Sequence, residues 1–172
     1  MTQPIQEFGI QRENEERRDG GCGVVFDPRT QRYAVGRRDT DGLYLLFSGG
    51  VNPEEDMEEG VLREVTEESG LHDFAHVEKI AEALTHYHNK AKNVNRVAHA
   101  TCYLIILKST DLVPLKLEAH EKFTLAWSVA EDILKNWLDR NQTKDYDHWV
   151  FFLKKSVARS IELGYDRTST IS

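Results

Sequence analysis

The sequence predicts an α/β domain in which a mixed β-sheet lies between helical layers. Short β-branched and aromatic runs, bounded by turn residues, occupy the region from Gly23 to Phe47 and recur after His76. A single acid-rich stretch with helical spacing, Pro53 to Ser69, falls between these two sets of strands. Two further helical stretches close the chain, and no internal repeat or low-complexity linker interrupts it.

In chain order, Met1 to about Gly20 is polar and has no periodicity after Ile10, so residues 1–20 are expected to form a mobile or edge segment. One domain is expected over residues 21–164, with a fraying tail over 165–172. Gly23 to Phe26 and Tyr33 to Val35 read as strands joined by a hairpin turn at Asp27-Pro28-Arg29-Thr30. Arg37 and Arg38 end the second of these, as surface charge or as phosphate contacts. Leu43 to Phe47 is a third strand, leading into Ser48-Gly49-Gly50, where paired glycines let a carbonyl approach a ligand.

The helix that follows has Pro53 at its first turn, Glu54, Glu55 and Asp56 at its positive end and Gly70 as its stop. Beyond it, His76 to Leu84 and the strongly apolar Ala98 to Leu107 are strands, the latter central. Between them THYHNKAKNVNR reads as a polar loop. It is either a solvated hairpin or a contact for phosphate or base, with Tyr87 stacking and Lys92 and Arg96 supplying charge. His86 and His88 have no cysteine or third histidine at zinc-site spacing. Leu112 to Leu117, with Pro114, is an edge strand or loop, and Phe123 to Trp127 is a strand. Glu131 to Trp137 and Tyr146 to Leu163 are helices, and Trp149, Val150, Leu153, Val157 and Ile161 recur in the latter at core-packing spacing.

With 172 residues, 40% of them apolar and 30% charged, the chain suits one compact domain. A net charge of −7 argues against general nucleic-acid binding, which draws its affinity from Lys and Arg. It does not exclude a phosphorylated small molecule, because a bound cation reverses the local field. Cys22 and Cys102 sit in apolar runs and read as buried free thiols. No apolar stretch has signal-peptide or membrane-spanning character, so a soluble cytoplasmic protein without membrane contact is expected.

The acidic helix concentrates the chemistry. Met57, Val61, Glu64 and Glu68 fall on one stripe, flanked by Leu62 and Val65. Asp56, Glu59, Arg63 and Thr66 lie on the other side, where water satisfies them, and Glu67 stands between. Two carboxylates on a core-facing stripe need a cation. Arg63 is a poor partner for Glu64 or Glu68, since successive residues diverge by about 100°. A divalent ion with hard oxygen ligands, Mg²⁺ or Mn²⁺, is the better one.

Gly49, five residues, Glu55, seven residues, then Arg63-Glu64-Val65-Thr66-Glu67-Glu68-Ser69-Gly70-Leu71 resembles the signature of the Nudix hydrolases, G-x5-E-x7-R-E-U-x-E-E-x-G-U with U apolar. Every fixed position is filled. The resemblance implies an α/β/α sandwich and Mg²⁺-dependent cleavage of a pyrophosphate bond, Mn²⁺ being an alternative. It implies Gly49 (by its carbonyl), Glu64, Glu67 and Glu68 as metal ligands, Glu64 as a candidate base, and Arg63 with Glu55 as orienting groups. Many Nudix proteins also carry a glutamate six residues before a strand tryptophan, which in relatives binds metal or acts as the base; Glu121, before Trp127, fits that place. Glu118 and His120 compete with it. The implied substrate is a small nucleoside diphosphate linked to another moiety, and a homodimer is common among relatives. KNVNRVAH is similar to Nudix domains fused within some bacterial leucyl-tRNA synthetases. That likeness is short and carries no function, but a non-catalytic nucleotide-binding or synthetase-associated module remains the alternative to an enzyme.

Overall fold

The computed structural model describes residues 4–171, so the first three residues of the expected N-terminal segment and the last of the tail lie outside it. Its elements are β1 (Gln6–Phe8), β2 (Glu16–Arg17), β3 (Gly20–Asp27), β4 (Arg32–Arg38), β5 (Tyr44–Leu45), β6 (Phe47–Gly50), α1 (Met57–Ser69), β7 (Phe74–Asn89), β8 (Val94–Leu107), β9 (Phe123–Ser128), α2 (Ala130–Leu138) and α3 (Asp147–Glu162). The strands form one mixed sheet in the order β1-β7-β8-β3-β4-β5, with β2 joined to β8, β6 to β3 and β9 to β4. The α/β class is as expected.

β3 and β8 run parallel at the centre, Cys22 beside Cys102. Their side chains alternate between two buried layers. On one face Val25, Tyr103 and Ile105 meet Val61 and Val65 of α1. On the other, Val24, Phe26, Leu104 and Ile106 pack with Ile133 and Trp137 of α2 and with Phe152, Leu153 and Val157 of α3. Each large apolar side chain so buried contributes roughly 1.5–3 kcal/mol. Both cysteines are free and buried, and among the described residues no helix is long and apolar enough to cross a membrane.

Several local expectations are corrected. α1 begins at Met57, not Pro53, because Asp56 is its N-cap. The Asp56 carboxylate accepts from the Glu59 amide at 2.8 Å, and the Glu59 carboxylate accepts from the Asp56 amide at 3.3 Å. These two acids therefore hold the helix start rather than only facing water. Gly70 closes the helix as expected, with φ 83 and its amide donating to the Thr66 carbonyl. The third strand is displaced: Gly49 and Gly50 belong to β6, paired with Gly21 and Gly20 of β3.

The expected polar loop 85–97 is mostly β-hairpin, with turn residues only at 90–93. His86, Asn95 and Arg96 of this hairpin bond a packed N-terminal segment, while Lys90, Lys92 and Asn93 at its turn are exposed. His86 contacts Glu7 at 2.6 Å and Glu15 at 2.8 Å, and Arg96 donates to Glu16 at 2.8 Å. That segment pairs in parallel with β7 through β1 and with β8 through β2. Leu112 to Leu117 is a loop with one isolated bridge, Leu71 to Leu112. Buried Asp166 accepts from the Tyr33 hydroxyl at 2.7 Å and the Ser169 hydroxyl at 2.6 Å, and the Thr170 amide donates to Glu131 at 2.6 Å.

Candidate active site

Arg63 organises the acidic end of a groove. Its Nη2 donates to Glu55 at 2.7 Å and to the Gly50 carbonyl at 3.1 Å, and its Nε lies 3.1 Å from the second Glu55 oxygen. Its Nη1 donates to Glu64 at 2.9 Å and Glu67 at 3.2 Å. The expectation that Arg63 is a poor partner for Glu64 is therefore corrected: the Cβ directions diverge, but the long stem and five-donor fork reach back across the gap. Glu68, by contrast, receives nothing from Arg63. The Glu55 carboxyl is held below the ordinary glutamate range by Arg63 and by the Asn52 amide. Arg63 itself is held more firmly protonated, first by Glu55.

Val61 and Val65 face the core, and that fixes the direction of Glu64 and Glu68. Glu68 is only 5% exposed. Its one hydrogen bond among the described residues comes from the Ser48 amide, at 3.1 Å. Burial, then the charges of Glu121 and Glu64, push its carboxyl up to about 9. Burial also raises Glu64, against Arg63, and Glu67 and Glu121 add to the rise. Gly49 packs against Glu64 so closely that a Cβ there would stand 2.3 Å from the Glu64 Cδ. Any side chain at 49 would displace the Glu64 carboxylate from this position.

Among the described residues, no three His, Cys, Asp or Glu side chains converge as a formed metal cage. The chemistry of the donor set nevertheless fits a hard divalent cation. Glu64, Glu68 and Glu121 repel one another at the edge of the core, and Glu68 has no cationic side chain against it.

The groove has a volume of about 770 Å³ and joins this acidic end to a basic and aromatic one. Arg38, Gly49, Arg63, Glu64, Glu67, Glu68, Tyr87, Lys92, Arg96 and Glu121 all line it. Arg38 is tied to Asp41 by bonds of 2.9 and 2.6 Å. Arg37 is exposed, its guanidinium lies at Gly42, and it is not a lining residue. Glu55 sits behind Arg63, outside the groove. The Glu121 carboxylate caps its own loop by accepting from the Glu118 amide at 2.8 Å. Glu118 and His120 lie 3.5 Å apart on the exposed part of that loop.

Arg18, Tyr146, His148 and Trp149 line the groove without having been singled out for it in the sequence. Trp149 does have the core role its spacing indicated, against Trp137 at 5.4 Å between ring centroids. The common signal of the aromatic three is their position in and just before the first turn of α3, at one end of the core helix. Buried His148 contacts the Thr85 hydroxyl at 3.1 Å and stacks on Tyr87 at 6.4 Å, and burial lowers its imidazole to about 4.

The NUDIX domain family model matches residues 16–152. Among solved structures, the chain is similar to the NUDIX domain of Shewanella oneidensis NrtR complexed with ADP ribose, with TM-score 0.58 and 15% identity over 86% of this chain and 90% of that one. It is similar to a C. elegans Ap4A hydrolase binary complex, with TM-score 0.58 and 18% identity over 86% and 98% of the two chains. The E. coli ORF135 protein aligns with TM-score 0.52 and 19% identity over 94% and 100%. At these identities the likeness is one of fold. No curated protein matches the sequence.

Proposed function

Because this chain belongs to the Nudix family, as a pyrophosphohydrolase with that family's general use of a divalent metal, we propose that it hydrolyses a nucleoside diphosphate linked to another moiety, with Mg²⁺ or alternatively Mn²⁺. The observation that carries this reading is Glu68: a carboxyl buried beside Glu64 and Glu121, with one amide donor and no cationic side chain against it among the described residues. Glu64, Glu67, Glu68 and the Gly49 carbonyl would hold the cation. When bound, it supplies charge neutralisation on the phosphoryl oxygens and acidifies water.

The chain's own groups do the rest. Arg63 fixes the rotamers of Glu64 and Glu67 and carries the Gly50 carbonyl with it, while Glu55 holds Arg63 from behind. Those contacts limit the freedom of the carboxylates before substrate arrives. Glu121 is the proton acceptor for the attacking water: it is near enough to Glu64 and Glu68 to shift both, and among the described residues only a loop amide engages it. Glu64, the competing candidate, is committed to Arg63. Tyr87, Lys92 and Arg96 contact the nucleotide from the groove.

The test is turnover of a pyrophosphate panel including ADP-ribose and Ap4A, with products identified by mass. Glu68→Gln is expected to lose more than about tenfold in kcat with Mg²⁺, since such charge stabilisation is worth several kcal/mol. Unchanged turnover in that variant overturns the metal assignment. Tight nucleotide binding without hydrolysis at millimolar Mg²⁺ or Mn²⁺ instead indicates a binding module.

A further inference from the structure

Between β2 and β3 the chain keeps its register on β8, Glu16 beside Arg96 and Gly20 beside Ala100, but the ladder is interrupted at Arg18 and Asp19. The Arg18 amide still donates to the Val97 carbonyl at 3.0 Å, and the Asp19 carboxylate substitutes for a backbone acceptor by taking the His99 amide at 2.9 Å. Constant register places Arg18, Gly20 and Cys22 on the same face as Arg96, Ala98 and Ala100. Across β8, Tyr87 and Thr85 of β7 stand opposite Arg96 and Ala98. All of these line the groove. Alanines and glycine keep the floor low, and Arg18, Arg96 and Tyr87 rise from it.

Two features of this floor are unexplained by folding. Arg96 is only 7% exposed, donates through Nη1 to Glu16, and leaves its buried Nε without a partner among the described residues. Burying a guanidinium half-paired is unfavourable unless a further acceptor arrives. Arg18 is exposed, and among the described residues its guanidinium makes no hydrogen bond or ion pair, even in a chain of net charge −7. Its Nη2 lies 3.5 Å from where a Gly50 Cβ would stand, beside the loop held by Arg63. The two cations thus continue the groove from the acidic end toward Tyr87 and His148, and both bear on the Tyr87 hydroxyl.

We propose that Arg18 and Arg96 form an anion subsite that holds a phosphate of the nucleotide moiety, directing its ring into the recess of Tyr87, His148 and Trp149. This rests on the hydrolase reading for its substrate class but not for its binding chemistry, because the subsite needs no divalent cation. It makes the N-terminal segment part of the site. Arg18 and Arg96 hold this phosphate together, as charge-assisted hydrogen bonds.

Calorimetric titration of the full chain with ADP in EDTA tests it, with inorganic pyrophosphate as competitor. Wild type and Arg37→Ala, an exposed arginine outside the groove, are expected to bind ADP alike, within about twofold. Arg18→Ala and Arg96→Gln are expected to bind roughly tenfold or more weakly, the scale of one hydrogen bond to a charged group. Arg18→Ala, at an exposed position, is expected to keep the wild-type thermal midpoint, so its loss is read as contact and not as misfolding. Pyrophosphate is expected to displace ADP from wild type but not to compete measurably in Arg18→Ala. Equal ADP affinity in wild type and Arg18→Ala, or no binding of ADP, GDP, CDP or UDP by wild type in EDTA, overturns the subsite. Absence of hydrolysis with Mg²⁺ while Arg18-dependent binding persists overturns only the hydrolase reading.

Discussion

Glu55 and Arg63, eight residues apart on opposite sides of the α1 N-cap, form a two-point ion pair with Nη2 at 2.7 Å and Nε at 3.1 Å. The same guanidinium reaches Glu64, Glu67 and the Gly50 carbonyl. A residue that touches so many candidate ligands acts by positioning them.

Arg63→Ala should therefore release Glu64 and Glu67 and lower kcat by roughly 10- to 100-fold, the range for a displaced reacting group. Arg63→Lys should restore only part of this, because an ammonium lacks the planar fork. Steady-state kinetics across a Mg²⁺ titration check the point, with the metal concentration for half-maximal rate rising in both variants.

Gly49→Ala puts a Cβ 2.3 Å from the Glu64 Cδ. Either the β6 backbone or the Glu64 rotamer must move. A stability loss of about 1–3 kcal/mol, with a fall in kcat beyond what the folded fraction explains, is expected from overpacking of this kind. Urea denaturation read beside kinetics separates the two effects.

His148 is buried, and its imidazole is lowered to about 4 by that burial, with Asp145 opposing weakly. The unfolded chain takes up this proton near pH 6.5, the folded chain only near 4. Between those values the unfolded state binds more protons, so stability falls as pH drops through the window and is flat above it. The contribution is roughly 3 kcal/mol at its largest. Urea melts at pH 7 and pH 4 should show a smaller difference in His148→Gln than in wild type.

Asp166 joins the tail to the sheet through Tyr33 and is braced within the tail by Ser169. Asp166→Ala leaves the buried Tyr33 hydroxyl without its acceptor and should cost about 1–3 kcal/mol of stability. Proteolysis of the C-terminal segment should accelerate in the same variant, and hydrolytic activity measured on folded protein should not change.

Where each structural feature was legible follows from the range of the forces involved. β3, β4, their turn, α2 and α3 declare themselves through local periodicity and turn chemistry. The hairpin β7–β8 was shortened in the sequence reading because Thr85, His86, His88, Asn95 and Arg96 look like a loop. His86 pairs with Glu7 and Glu15 and Arg96 with Glu16, residues about 70 to 80 positions away, while Thr85 contacts His148 and Asn95 donates to the Glu13 carbonyl. No local pattern encodes such partners. Likewise Asp166 looks like tail until Tyr33 is placed beside it.

By itself the sequence determined the acidic helix, the facing of Glu64 and Glu68 and the family, since a 3.6-residue repeat and a fixed motif are properties of adjacent positions. Only the tertiary structure decided that Arg63 grips Glu64 and that Arg18, Arg96, Tyr87 and His148 share one groove. Those residues come from three separated segments. Parallel register on β8 and the seating of α3 on the sheet bring them together, and both depend on burying apolar surface across the whole fold.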